Sequence, residues 1–277
     1  MKKIILLSLI TLLCLPLAVY AASIGGAETQ GKGKLAIGLD QEFVFDRDMK
    51  DTGATVEGGE DVTIAGTAKT EIDNMYRTMV KASYGLFENL DIYVKLGTAD
   101  FKATSKQSGT WDDGEDTGTW NASEEFNSNN ALAYGFGMKG TYSLENDWII
   151  GCEAQYLRHK HDKMKMAGSM NVYDDVGDLI ADESGTDSWE ADTTIQEWQV
   201  APYIAKKIGD FIPYLGVKYS DLRANYKDED GKLKLKADDN FGVFVGTDYK
   251  IGENWKLNLE GRFVDETAMS VGATYKF

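Results

Sequence analysis

Cysteine is nearly absent from this chain of 277 residues: there are two, Cys14 and Cys152. Cys14 falls in a stretch that reads as a removable leader. The mature chain then keeps one thiol and can close no internal disulfide, although an exported compartment would permit one. Leu13 is bulky where a lipoprotein signal needs a small residue, which argues against lipid attachment at Cys14. Proline is scarce, with three residues, and histidine scarcer, with two. Base is outnumbered by acid, 29 against 45, for a formal charge of −16. A field of that sign excludes nucleic-acid binding through overall charge. Beyond the leader no stretch approaches 18 apolar residues, which excludes a spanning helix. No phosphate-cradling glycine loop, zinc spacing or nucleophile elbow occurs, so neither a cofactor nor an enzymatic centre is expected.

What is there begins at the two ends. Lys2 and Lys3 precede the apolar run Ile4–Leu17, and Val19-Tyr20-Ala21 lead to Ala22. This is the pattern of a secretory signal peptide over residues 1–21. Residues 22–33, rich in Gly and small polar side chains, read as a flexible lead-in to a single unit over 34–277. At the far end Met269, Val271, Ala273, Tyr275 and Phe277 alternate with Ala268, Ser270, Gly272, Thr274 and Lys276. Period two with one apolar and one polar face marks a strand. An apolar strand left as an open edge is an aggregation hazard unless it closes a barrel. The same alternation recurs in ten segments, beginning at about Lys34, Glu71, Leu90, Ala131, Trp148, Thr194, Phe211, Phe241, Trp255 and Ala268. Pro202 weakens the sixth, because proline removes a ladder hydrogen bond. Phe101 breaks the apolar parity of the third, which predicts a bulge near Gly97 or an inward ring. Short turns alternate with long acid-rich connections at 47–70, 103–129, 159–193 and 225–237.

The closing segment, with Tyr275 two before Phe277 and apolar residues at further steps of two, resembles the C-terminal signal of bacterial outer-membrane β-barrel proteins. The resemblance implies an all-β fold: a closed antiparallel transmembrane β-barrel of about ten up-and-down strands, with short periplasmic turns and long outer loops. It also implies residence in the outer membrane, with lipid and lipopolysaccharide as surroundings. Tyr275 and Phe277 would then be read by the assembly machinery.

In such a barrel the apolar face turns outward and the other face lines the lumen. The inward set carries Arg77, Lys81, Lys95, Lys139, Lys218, Lys256, Arg262 and Lys276 against Asp40, Glu42, Asp91, Glu153, Glu197, Asp248 and Glu260. Ten strands enclose a narrow lumen. Charges of both signs there are expected to pair, because an isolated buried charge is very costly. The reading that follows is a structural or surface protein with a largely side-chain-filled interior. A narrow porin for small solutes is the alternative. A third reading, a surface protease, rests on the strand count shared with the omptins. His159 and His161, two apart and followed by Asp162, are the residues that could hold a metal or act as bases. No omptin motif surrounds them, and an exposed polar pair at the rim is the plainer expectation. The acid-rich connections, with Asp112, Asp113, Glu115, Asp116, Asp174, Asp175 and Asp178, would face the medium. Divalent cations could bridge them to lipopolysaccharide phosphates.

Overall fold

The computed structural model of the chain describes residues 23–277, apart from 51, 59–61 and 228–231. The expected signal peptide lies outside the described residues. Nearly everything else is antiparallel strand. In chain order these are β1 (Leu35–Asp48), β2 (Thr52–Gly58), β3 (Val62–Phe87) and β4 (Leu90–Asp112). Next come β5 (Thr117–Ser128), β6 (Ala131–Ser143), β7 (Trp148–Asp174) and β8 (Leu179–Lys206). The last five are β9 (Phe211–Lys227), β10 (Lys232–Lys236), β11 (Phe241–Ile251), β12 (Trp255–Phe263) and β13 (Thr267–Lys276).

Ten of these strands form a closed ring. β1 pairs with β3 on one side and β13 on the other, and the circuit runs β3-β4-β6-β7-β8-β9-β11-β12-β13. Closure removes the edge that the apolar C-terminal strand would otherwise expose. At the seam Ile37 faces Tyr275 and Leu39 faces Ala273. β2, β5 and β10 lie outside the circuit. β2 folds back on β3, β10 on β9, and β5 bridges β4 and β7 beyond the end of β6.

The connections expected as long loops are therefore largely strand. β3, β4, β7 and β8 run on for 23 to 28 residues. Such lengths exceed the 9–11 residues, roughly, that cross a bilayer. The wall thus continues past the membrane-spanning length as an outer sheet. Polar, Gly- and Thr-rich segments can pair this way because their backbone groups find ladder partners whatever their side chains.

Alternation decides which side meets lipid. Leu35, Ile37, Leu39, Val80, Val94, Leu96, Leu132, Phe136, Leu215, Val217, Val245 and Leu257 point outward and are exposed, Leu132 to 63%. A belt of that extent facing water would be an extreme apolar patch. Facing lipid, with aromatic pairs at its margins, it is the expected exterior of a membrane barrel. Phe211–Tyr249 and Trp255–Tyr275 meet in tilted or edge-to-face contacts near the short turns, and Phe43–Tyr76 and Trp198–Tyr219 toward the outer side. Among the described residues no helix is long and apolar enough to cross a membrane. Cys152 lies on the outward face, as its parity requires. Phe101 points inward on the same parity as Asp91 and Lys95, and the irregularity sits opposite it, between Ile72 and Asn74 of β3. Pro202 pairs with Cys152 of β7. The β8–β9 ladder lapses at Ala201 and Pro202 and resumes in the same register at Tyr203.

Candidate functional site

The interior of the ring is the candidate site, and its lower part is occupied by the chain's own N-terminal segment. Within residues 22–33, expected as a flexible lead-in, the stretch from Ser23 to Ala27 turns into the lumen. Ser23, Ile24 and Ala27 are buried, each at 1% exposure or less. The reason lies in the backbone. Small residues let the segment fit between side chains, and their amides and carbonyls meet the lumen charges. Glu42 accepts from Ser23 N (2.8 Å), Asp248 from Ala27 N (2.9 Å) and Asp91 from Gln30 N (2.9 Å). Lys95 donates to the Ser23 carbonyl at 3.3 Å, and Lys139 to those of Ile24 and Gly26. Gly26 has φ of 104°, and a Cβ there would lie 2.3 Å from Lys256 Nζ. Only glycine suits that backbone and that approach. Ile24 and Ala27 pack on Ile149, Tyr203, Ile212, Tyr214 and Phe244. At the rim Glu28 meets Lys207 at 2.9 Å and Lys250 at 2.8 Å.

Every sequence-predicted lumen charge is on the inner face. Asp40, Glu42, Arg77, Lys81, Asp91, Lys95, Lys139, Glu153, Glu197, Lys218, Asp248, Glu260 and Arg262 are buried, and Lys256 and Lys276 are half-buried. The structure joins many of them. Arg77 bridges Glu42 and Glu197, each at 3.4 Å. Lys139 meets Glu153 at 3.1 Å, Lys95 meets Asp40 at 3.7 Å, Lys256 meets Asp248 at 3.4 Å and Arg262 meets Glu260 at 3.3 Å. Tyr93, also inward, donates to Glu153, and Lys81 lies 4.0 Å from the centre of its ring. Pairing of this density fits the cost of a lone ion away from water.

Three participants were not anticipated. Arg47 donates to Glu197 and Glu266 at 2.9 Å each and to Ser220 at 2.9 Å. Asp265 and Glu266 both pair with Lys218. In sequence the acids belong to a brief outer turn, 264–267, before the closing strand. Val264 turns them inward by adopting φ of 88°, a conformation that strains a β-branched residue. For Arg47 the available signal was parity: it continues the inward series of Asp40, Glu42 and Val44, offset by the bulge between Val44 and Asp46.

Above the ions the inner face becomes apolar. Val44, Met49, Ile72, Met75, Phe101, Met164, Ile195 and Leu222 fill the cross-section. His159 and His161 belong to this level, buried at 1% and 0%, not exposed at the rim. Their strand parity points them inward, and β5 and β8 continue the wall past them. Asn129 O lies 2.8 Å from His161 Nδ1, which places a proton there. His161 Nε2 must then accept from His159 Nδ1, 2.7 Å away. Asp162 is on the opposite face and accepts from Asn129 Nδ2 at 3.1 Å. The three candidate ligands do not converge.

Beyond the outer aromatics, three outward acids do. Carboxylate oxygens of Asp46, Asp48 and Glu71 lie within 4.8 Å of one another. A hydrogen bond with Asp46, with partial burial and the neighbouring charges, pushes Glu71 up to about 7. Among the acids of the outer turns, Asp113 accepts from the backbone of Glu115 and Asp116, which holds its carboxyl low. At the seam the rings of Trp255, Tyr275 and Phe277 stack edge to face at 5.0 Å spacing. Phe277 N donates to Leu35 O at 2.9 Å.

No family model matches the chain, and no curated protein matches it. Among solved structures, the outer membrane protease OmpT from Escherichia coli is similar over 87% of this chain and 97% of its own, at 16% identity and a TM-score of 0.49. The outer membrane protein OprG from Pseudomonas aeruginosa is similar over 92% and 99%, at 12% identity and a TM-score of 0.33. The Ralstonia pickettii toluene transporter TbuX is similar over 89% and 89%, at 10% identity and a TM-score of 0.33. Likenesses this distant carry no residue's role from one chain to another.

Proposed function

We propose that this chain is an integral outer-membrane β-barrel with a structural or surface role and a lumen closed to general diffusion. One observation carries the reading: residues 23–30 occupy the lower lumen, with their backbone groups held by lumen ions. The ion-pair layer and the apolar layer above repeat the closure, so three successive obstacles lie on any path. Lipid and lipopolysaccharide are the proposed surroundings, with divalent cations at the outer acids. Tyr275 and Phe277 are the proposed segment for the assembly machinery.

Single-channel recording in planar bilayers tests the closure. The whole chain is expected to give no stable porin-level steps. Deletion of residues 23–33 removes the lowest obstacle and is expected to give at most small, flickering events, because the ionic and apolar layers remain. Steady conductance at the level of a general porin from the intact chain overturns the proposal. The alternative of a small-solute channel draws on the noncovalent hold on the N-terminal segment, and it requires steps in the intact chain that cease when the segment is tethered by a disulfide.

A further inference from the structure

The outer sheet carries a cavity that plays no part in closing the lumen. It is about 800 Å³ and sits on the inner face of β3, β4, β5, β7 and β8 beyond the apolar layer. That is within the range of small-molecule sites, roughly 300–1,000 Å³. Its walls are the inward parity of segments whose sequence reads as polar loop.

Two indoles form its aromatic surface. Trp120 lies across Gly66 and Gly109, its cross-strand neighbours: a Cβ at Gly66 would come 2.5 Å from its ring, and one at Gly109 would come 2.8 Å from its Nε1. Trp111 lies across Gly118 in the same way, at 2.6 Å, and its Nε1 donates to Tyr173 O at 3.0 Å. Glycine beneath each ring lets it lie close against the wall. Both rings line the cavity, which leaves their free faces toward it. Met166, Met170 and Val172 complete the apolar lining, and methionine adapts its shape to what it meets.

The polar lining has one sign. Glu124 and Glu183 line the cavity, and no described lysine, arginine or histidine does. Glu124 accepts from Gln107 Nε2 at 2.8 Å and has no cation paired with it among the described ion pairs. Burial pushes its carboxyl up, against the opposing bond from Gln107. It is a carboxylate short of solvation, at a place where another anion would be repelled.

We infer that this cavity binds a hydrophobic organic cation: an alkylated or aromatic ammonium, its charge between Glu124 and the indole faces and its apolar body on the methionines. Indole faces attract cations through the ring quadrupole, most strongly for tryptophan. A neutral ligand would leave Glu124 uncompensated, and an anion would add repulsion. The inference concerns a surface above the closed lumen, so it does not depend on whether the barrel conducts.

The test uses the full chain in lipid nanodiscs, with empty nanodiscs subtracting partition into lipid. Benzyltrimethylammonium is compared with its uncharged carbon isostere, neopentylbenzene, by equilibrium dialysis and by the change in tryptophan emission. The cation is expected to bind roughly tenfold more tightly than the isostere. Glu124→Gln should weaken the cation by about tenfold and leave the isostere unchanged. Trp120→Leu should weaken both. Heat-modifiable gel mobility identifies variants that keep the folded barrel, and Glu124→Asp serves as the conservative control. Equal binding of the two probes overturns the assignment of charge. Absence of cation binding, or binding that both variants leave intact, overturns the site.

Discussion

The lower lumen and the outer cavity share the inward faces of β3, β4, β7 and β8, yet they are built from opposite materials. Below, the inner face is ionic and filled. Arg47, Arg77, Lys95 and Lys218 are matched to Glu42, Glu197, Asp265 and Glu266, and the N-terminal segment takes up further ions through its backbone. Above, the inner face is aromatic and thioether, with glycine under the rings and a carboxylate lacking a described cationic partner. A closed cylinder of ten strands is narrow and shields its lining from bulk water, so charges there are held by neutralising one another. An open sheet admits water and ligand, so a carboxylate can remain uncompensated and an apolar wall can stay empty. Closure of the ring, more than strand chemistry, sets which lining is stable.

The comparison can be broken hardest at Arg47. Arg47→Met takes one cation from Glu197 and Glu266 in the closed region, leaving them Arg77 and Lys218, and is expected to cost about 3 kcal/mol, the low end for a broken buried pair. Urea unfolding from lipid vesicles measures it. Trp120→Ala in the open region should cost clearly less in the same assay, and equal losses would erase the contrast. Gly26→Val comes next. It forces a branched side chain into φ of 104° against Lys256 and Asp248, and about 1–3 kcal/mol is expected. Proteolysis from the short-turn rim should then cut the N-terminal segment, which the parent protects. Val264→Gly runs the other way. It relieves a positive φ on a β-branched residue and is expected to stabilise by about 1 kcal/mol, provided Asp265 and Glu266 keep their partners.

The smallest effect lies outside the lumen. Glu71 is raised from 4.5 to about 7 chiefly by its bond with Asp46. The folded chain therefore holds this proton more tightly than the unfolded one, and the contribution favours folding at low pH. It is lost as pH rises from 4.5 through 7. Because the side chain is only partly buried and solvent screens its neighbours, the change should be a few tenths of a kcal/mol, roughly the worth of a surface pair. Glu71→Gln should flatten that part of the stability curve; an unaltered slope between the two pH values would show that Glu71 titrates normally.

Much of the barrel was legible because lipid imposes a strict rule. Leu35, Ile37 and Leu39 against Asp40 and Glu42 can be sorted by parity alone, and the inner charges follow from the same alternation. The N-terminal segment was illegible for a physical reason. Ser23, Gly25, Gly26 and Ala27 are small, so they fit the lumen without advertising it, and their contribution is made by amides that every sequence has. The outer strands were hidden by composition. Trp111, Trp120, Met166 and Met170 do occupy one parity, but Gly, Ser, Thr and Asp between them carry the usual marks of a loop. Asp265 and Glu266 stayed hidden in a brief turn because nothing local signals a valine with positive φ.

The glycine-backed indoles also divide optically the tryptophans whose side chains are described. Trp148, Trp198 and Trp255 sit exposed on the lipid side, whereas Trp111 and Trp120 lie on the inner wall of the outer sheet. Brominated acyl chains can collide with the first group, and aqueous iodide or acrylamide with the second. Emission from a single sample therefore reports bilayer insertion and vestibule occupancy on separate channels, with no label added.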